Sequence, residues 1–235
     1  MEVLRLQHPG GEHVVVDVLD GRGPAYLYVH GYGSVRAGEK SASLFEHARA
    51  RGRAAARIDL RGHGESSGTI GNVTMSEMVA DVRLAMAMLR ARGAGPVVLV
   101  GSSIGAVVGS FAAAQEPSSV RGLVLLGPAF GFMRLAARLD PQGRLRTSTG
   151  LEVTMHQRTI LDAQQHDEAS LPGRISMPLL VVHGTDDEVI PPAVSTRFVE
   201  QVPHADKELW LVEGGDHRLN QPILEVWRRM DARIG

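Results

Sequence analysis

Short apolar runs and amphipathic stretches alternate along most of this chain, and their lengths assign them. Residues 2–7 and 13–19 are apolar or alternating segments around His8-Pro9-Gly10-Gly11, which predicts an antiparallel hairpin at one edge of a sheet. Ala25 to Val29 and Ala54 to Asp59 read as the next strands, with a helix over about 38–51 between them. Thr74-Met75-Ser76-Glu77 has the pattern of a capping box, and Met75, Met78, Val79, Val82, Met86 and Leu89 follow at helical spacing. Those methionines read as core packing rather than as a ligand surface. Val97 to Val100 and Gly122 to Gly127 are continuous apolar runs, as expected of strands covered on both faces. Between them Gly105, Ala106, Gly109, Ala112 and Ala113 predict a helix slim enough to lie close on the sheet. The rhythm breaks over 128–177, which predicts only a hairpin about Thr149-Gly150 and a short helix near 155–165. It resumes with strands over 178–182 and 208–212 and helices over about 192–201 and 221–231.

Strand and helix in alternation imply an α/β chain with a largely parallel sheet and helices on both faces. In such sheets ligands bind beyond the carboxyl ends of the strands. His30, Ser103 and Asp187 each stand just past such an end. The 235 residues suit one domain, 1–235, without internal repeats or an interdomain linker.

Composition mainly excludes. A net charge of -1 gives no electrostatic footprint for nucleic acid or an anionic membrane. No cysteine is present, so disulfides, thiolate metal sites and a cysteine nucleophile are ruled out. The first ten residues lack a secretory apolar core and no apolar stretch reaches membrane-spanning length, so a cytoplasmic protein is expected. No His/Asp/Glu group has metal-ligand spacing, and Arg61-Gly62-His63-Gly64-Glu65-Ser66 lacks the Lys-Ser/Thr ending of a phosphate loop. That turn reads as structural, and neither metal nor cofactor is expected. Oligomeric state leaves no signal.

The chemistry centres on Gly101-Ser102-Ser103-Ile104-Gly105, a Gly-x-Ser-x-Gly pentad between a strand and a small-residue helix. Composition alone yields roughly 0.2 such pentads in a chain of this make-up, so the flanking pattern carries the inference. The two glycines let the backbone double back and hold Ser103 above the sheet edge as a nucleophile. A serine hydroxyl needs a base, and the base needs a carboxylate. Of ten histidines, His217 alone follows the last predicted strand, in the glycine-rich loop Glu213-Gly214-Gly215-Asp216-His217-Arg218. Two adjacent carboxylates, Asp186 and Asp187, follow the strand ending at His183-Gly184. Asp187 is preferred because Asp187-Glu188-Val189-Ile190-Pro191 has the Asp-x-x-Val/Ile-Pro spacing that pins a loop, leaving Asp186 as its neighbour. Donors for an oxyanion are the backbone N–H groups of Ile104 and, in His30-Gly31-Tyr32-Gly33, of Tyr32. His30 and His183 read as braces for their turns.

His30-Gly31-Tyr32-Gly33, Asp59-Leu60-Arg61-Gly62-His63-Gly64-Glu65-Ser66, Gly101-Ser102-Ser103-Ile104-Gly105, His183-Gly184-Thr185-Asp186-Asp187 and Gly214-Gly215-Asp216-His217 together resemble a serine hydrolase of the α/β-hydrolase superfamily, across nearly the whole chain. Among its members the chain looks most like compact carboxylesterases and acyl-protein thioesterases. The resemblance implies Ser103 as nucleophile, Asp187 as acid and His217 as base. It also implies a small cap at about 128–177, inserted after the sixth strand. Tyr32, Phe130, Met133 and Met155 are the substrate-pocket candidates, with Phe132 and Ile160 as further members of an apolar roof. The expected substrate is a short- to medium-chain acyl ester, cleaved through an acyl-enzyme. The alternatives are an acyl thioester, a monoacylglycerol or lysophospholipid substrate, or a small-ligand receptor on the same fold that turns nothing over.

Overall fold

A computed structural model describes residues 1–131, 139–147 and 150–235. The hairpin is formed by β1 (Glu2–Gln7) and β2 (His13–Leu19), closed by a His8 amide bond to the Glu12 carbonyl at 2.7 Å. β3 (Arg22–Val29), α1 (Glu39–Ala50), β4 (Arg53–Asp59), α2 (Met75–Ala91), β5 (Val97–Ser102), α3 (Ile104–Gln115) and β6 (Val120–Leu126) follow. Then come the two short strands β7 (Arg144–Arg146) and β8 (Glu152–Thr154), and α4 (Gln157–Gln164). The chain ends with β9 (Leu179–Gly184), α5 (Ala193–Gln201), β10 (Lys207–Val212) and α6 (Ile223–Ile234).

Eight strands make one sheet in the order β1-β2-β4-β3-β5-β6-β9-β10, in which only the pairings of β2 are antiparallel. Because side chains alternate along a strand, one apolar run feeds two cores. Val97 and Leu99 face the cluster built on α2, α3 and α5, while Val98 and Val100 face the cluster built on α1 and α6. On the second face Trp227 is fully buried and donates its indole N–H to Ser43 Oγ at 2.9 Å. Burying a side chain of that size contributes about 2–3 kcal/mol.

The capping box of α2 is formed: Glu77 N–H donates to Thr74 Oγ1 at 3.1 Å and Thr74 N–H to Glu77 Oε2 at 2.8 Å. Its methionines at 75, 78 and 86 are buried in the core. On α3 the small residues are a steric requirement, since a Cβ on Gly109 would fall 2.3 Å from Leu99 Cδ2. The last helix runs three residues past the predicted end because Ile234 packs where Gly122 leaves room; a Cβ there would lie 2.3 Å from Ile234 Cγ2.

Within the stretch from 128 to 177, β7 and β8 form a separate antiparallel pair, and α4 begins soon after it. This stretch is tied to the segment leading into α2. His156 N–H donates to the Gly71 carbonyl at 2.9 Å, Thr159 Oγ1 donates to the same carbonyl at 3.1 Å, and Arg158 pairs with Glu77 at 2.6 Å. Phe132 and Met133 lie outside the described residues.

Candidate active site

At the end of β5 the chain turns so sharply that Ser103 takes φ 55 and ψ -120, one of two non-glycine residues with positive φ among those described. Such a conformation costs about 1–3 kcal/mol and must be held by its surroundings. The holding is visible. Ser103 N–H donates to the Leu126 carbonyl at 2.8 Å, and its own carbonyl accepts from Ala106 and Ala129 at 3.1 and 3.2 Å. A Cβ on Gly101 would meet Ala106 Cα at 2.5 Å, and one on Gly105 would meet the His30 carbonyl oxygen at 2.3 Å. Both glycines are therefore needed where β5, α3 and the turn after β3 meet.

His217 Nε2 lies 3.1 Å from Ser103 Oγ, and His217 Nδ1 lies 2.7 Å from Asp187 Oδ2. Asp187 is fully shielded and the imidazole is 10% exposed. Asp187 Oδ1 accepts the amides of Val189 and Ile190 at 2.9 and 2.8 Å, so the loop after β9 wraps around the carboxylate. Burial opposes ionisation of Asp187, yet hydrogen bonds from His183, His217 and the Ile190 amide outweigh it and hold the carboxyl well below the usual carboxylate range. Asp186 is exposed and accepts from Thr185 Oγ1 at 3.1 Å, away from the imidazole. Asp216 Oδ1 accepts the amides of Arg218 and Leu219 at 3.0 Å, which shapes the loop that carries His217.

The remaining histidines at this end are braces. His183 Nε2 faces Asp187 Oδ2 and the Ile190 carbonyl, both at 3.0 Å, so it donates, and its Nδ1 meets Ser195 Oγ at 2.7 Å. His30 Nδ1 donates to the Gly31 carbonyl at 2.8 Å while its Nε2 accepts from Leu60 N–H at 3.1 Å. His63 repeats the device, with Nδ1 donating to the Arg61 carbonyl at 3.0 Å and Nε2 accepting from Gly33 N–H at 3.2 Å. Burial, with His63 close by, pushes His30 down to about 4, and burial lowers His63 as well, so both rings are neutral at pH 7. Arg36 pins the same loop from its far end by reaching Asp17, Asp59 and Glu65 at once.

Tyr32 follows Gly31, where a Cβ would come within 3.1 Å of Ser103 Cβ, so the turn closes directly over the serine. Ile104 opens α3, and helix geometry leaves its N–H without an acceptor four residues back. The Tyr32 ring is buried, its hydroxyl donating to the Ile70 carbonyl at 2.7 Å and lying 3.3 Å from the Met155 sulfur.

Ser103 and His217 line a cavity of about 240 Å³ whose walls include Tyr28, Tyr32, Lys40 and Asn220. Of the other pocket candidates, Phe130 and Met155 are not brought to this cavity. Phe130 is stacked on Phe198 at 4.0 Å between ring centroids, and Met155 lies behind Tyr32. Their apolarity is used in packing of the 128–177 stretch against the α2–α3–α5 face. Met133 falls outside the described residues. Lys40, Tyr28 and Asn220 were missed by the sequence reading; the one available signal was that Lys40 is one of two lysines in an arginine-rich chain. Among the described residues no helix is long and apolar enough to cross a membrane.

A family model described as "Serine aminopeptidase, S33" matches residues 25–171 and 138–221. Among curated proteins, mouse "Palmitoyl-protein thioesterase ABHD10, mitochondrial" is 26% identical over 224 residues, covering 86% of this chain and 72% of its own. Two solved structures share the fold. Mouse "Alpha/beta hydrolase domain-containing protein 10" superposes with a TM-score of 0.86 at 23% identity, over 99% of this chain and 98% of its own. Est1E from Butyrivibrio proteoclasticus with ferulic acid bound has a TM-score of 0.85 at 20% identity, over 98% of this chain and 99% of its own.

Proposed function

The chain belongs to the serine aminopeptidase, S33 family and is an α/β-hydrolase, and on that premise we propose that it is a serine carboxylic-ester hydrolase acting on short- to medium-chain acyl esters. The observation that carries this reading is the continuous hydrogen-bonded line Asp187–His217–Ser103, at 2.7 and 3.1 Å, ending on a serine held at positive φ. Ser103 Oγ attacks the ester carbonyl carbon as His217 Nε2 takes its proton. Asp187 holds the ring in the tautomer with Nδ1–H and stabilises the imidazolium. The oxyanion is met by the N–H groups of Ile104 and Tyr32. Collapse of the tetrahedral species expels the alcohol, which takes the proton from His217. Water then attacks the acyl-enzyme with His217 as base, releasing the acid and regenerating Ser103. No step asks for a metal or cofactor. We read residues 1–235 as one domain with a small cap at about 128–177, acting in the cytoplasm on a small-molecule substrate.

A thioester substrate is the second reading, favoured by the printed name of the mouse relative, a palmitoyl-protein thioesterase. That name also carries a mitochondrial location, which cell fractionation tests against the cytoplasmic one.

Turnover of matched 4-nitrophenyl oxygen esters and acyl thioesters from two to sixteen carbons decides between them. The ester reading expects the highest kcat/KM on oxygen esters of short or medium chain. A steep preference for long-chain thioesters replaces it with the second reading. Ser103→Ala should lower kcat by about 10³–10⁶-fold, whereas Ser102→Ala should stay within about tenfold of wild type. Undiminished turnover by Ser103→Ala, or labelling of Ser103 by a fluorophosphonate with no ester turned over repeatedly by wild type, defeats the proposal.

A further inference from the structure

On the side formed by the β3–α1 connection and the loop after β10, the cavity beside Ser103 mixes Val35 and glycines with the polar side chains of Ser34, Glu39, Lys40, Arg218 and Asn220. Tyr28 rises from β3 with its hydroxyl close to Ser102, and Ser34 and Asn220 add further polar atoms to the wall. Lys40 enters from the first turn of α1 and is half-buried. Its Nζ donates to Asn220 Oδ1 at 3.4 Å, a long bond for a group with three N–H donors.

Each neighbouring carboxylate has another partner, although Glu39 lies on the wall of the same cavity. Glu39 accepts from the Asn220 side-chain amide, and Asp216 Oδ1 accepts the Arg218 and Leu219 amides. Both act on Lys40 from a distance, but among the described residues no carboxylate oxygen lies within 4.0 Å of Nζ. Arg218, exposed at the same cavity, also makes no ion pair among them. Burial disfavours the Lys40 ammonium and lowers its pKa despite those two carboxylates. A partly desolvated cation with unfilled donors, on the wall of the cavity that Ser103 lines, is matched by an anion of the substrate.

We propose that Lys40 sets the substrate class of this site, selecting acyl esters whose acyl part ends in a carboxylate that Lys40 holds while the ester carbonyl lies at Ser103. This rests on the ester-hydrolase reading above and narrows it. Lys40 touches the substrate's far end and takes no part in the proton transfers.

The test uses the full chain and three chromogenic esters of similar length: mono-4-nitrophenyl adipate, its methyl ester, and 4-nitrophenyl 6-aminohexanoate. They present a carboxylate, a neutral group and an ammonium at the far end. Wild type should prefer the carboxylate over the neutral ester by roughly tenfold in kcat/KM, equivalent to about 1.4 kcal/mol, and should disfavour the ammonium. High salt should shrink that preference. Lys40→Met and Lys40→Gln should bring the ratio of carboxylate to neutral ester to one or below, chiefly through KM, and Lys40→Arg should restore part of it. A wild-type ratio at or below one, a preference for the ammonium ester, or a wild-type ratio surviving in Lys40→Met or Lys40→Gln overturns the assignment. Should those variants not fold, the wild-type ratio and its salt dependence decide. Loss of the underlying reading looks different: wild type then releases nitrophenolate from none of the three esters, or Ser103→Ala releases it as fast as wild type.

Discussion

The turns after β3 and β4 and the loops after β9 and β10 are built from the same parts. Each region has a buried aspartate at a strand end and two histidines packed nearby, Asp59 with His30 and His63, and Asp187 with His183 and His217. In the first region both rings spend both nitrogens on backbone, donating to a carbonyl and accepting from an amide. In the second, His183 is likewise saturated, by Ser195, Ile190 and Asp187. His217 differs by one nitrogen: Nε2 looks into a cavity and finds Ser103 Oγ. Burial and a neighbouring carboxylate therefore do not distinguish a brace from a candidate base. The direction of the one remaining nitrogen does.

The largest test of that contrast is at Asp187. Asp187→Asn keeps the shape of the loop but lets the side chain offer an N–H to His217 Nδ1, favouring the tautomer that cannot accept from Ser103. We expect a loss of about 10⁴ in kcat on 4-nitrophenyl butyrate. Asp186→Asn, altering the exposed neighbour, should stay within about twofold, and equal losses in the two variants would remove the distinction.

The next effect belongs to the braces and is read in stability. A neutral His30 with a folded pKa of about 4 against about 6.5 in the unfolded chain means that the unfolded state takes up the proton first as pH falls. Its contribution is full above pH 6.5 and is lost as pH drops towards 4, amounting to about 3 kcal/mol for a fully buried ring. His63, also lowered by burial, acts in the same direction. Urea unfolding at pH 7 and pH 4 should show this loss in wild type, and a loss smaller by about that amount in His30→Gln. Parallel pH dependence in the two proteins would refute the neutral brace. Asp187 is held low as well, so its own contribution is full above the ordinary carboxylate range and is lost progressively as pH falls through and below it.

The smallest effect concerns Ser195, which meets His183 at 2.7 Å and touches neither Ser103 nor His217 through any hydrogen bond described. Ser195→Ala should cost about 1 kcal/mol in unfolding free energy and only a few-fold in kcat. A loss of kcat approaching that of Asp187→Asn would show that His183 does more than hold the loop.

Much of this was legible in the linear pattern. The hairpin, the alternation of strands with helices, the capping box at Thr74 and the pentad at Ser103 all depend on residues within about ten positions of one another, where hydrophobic period and turn chemistry act. The serine, its glycines and the last-loop histidine could be named for that reason. Asp187 could be preferred over Asp186 from the Asp-x-x-Val/Ile-Pro spacing, but why adjacent residues fare so differently lies in the loop's path. In the fold one carboxylate is enclosed by the Val189 and Ile190 amides and the other faces water.

Phe130 and Met155 show the same limit from the other side. Their apolarity announced burial, but burial against Phe198 and Tyr32 and burial in a substrate cavity look identical along the chain. Lys40 was invisible because a lysine in the first turn of a predicted helix reads as a solvated charge. Only the folding of the loop after β10 onto α1 brings Asn220 beside it and puts it on the cavity that His217 also lines. Local order along the polymer thus determined the elements and the candidate reacting groups, since propensity and turn geometry are short-range. How Asp187 is enclosed against the imidazole, and which cation shares a cavity with Ser103, was decided by segments up to 180 residues apart packing together, where distance in space and distance in sequence part company.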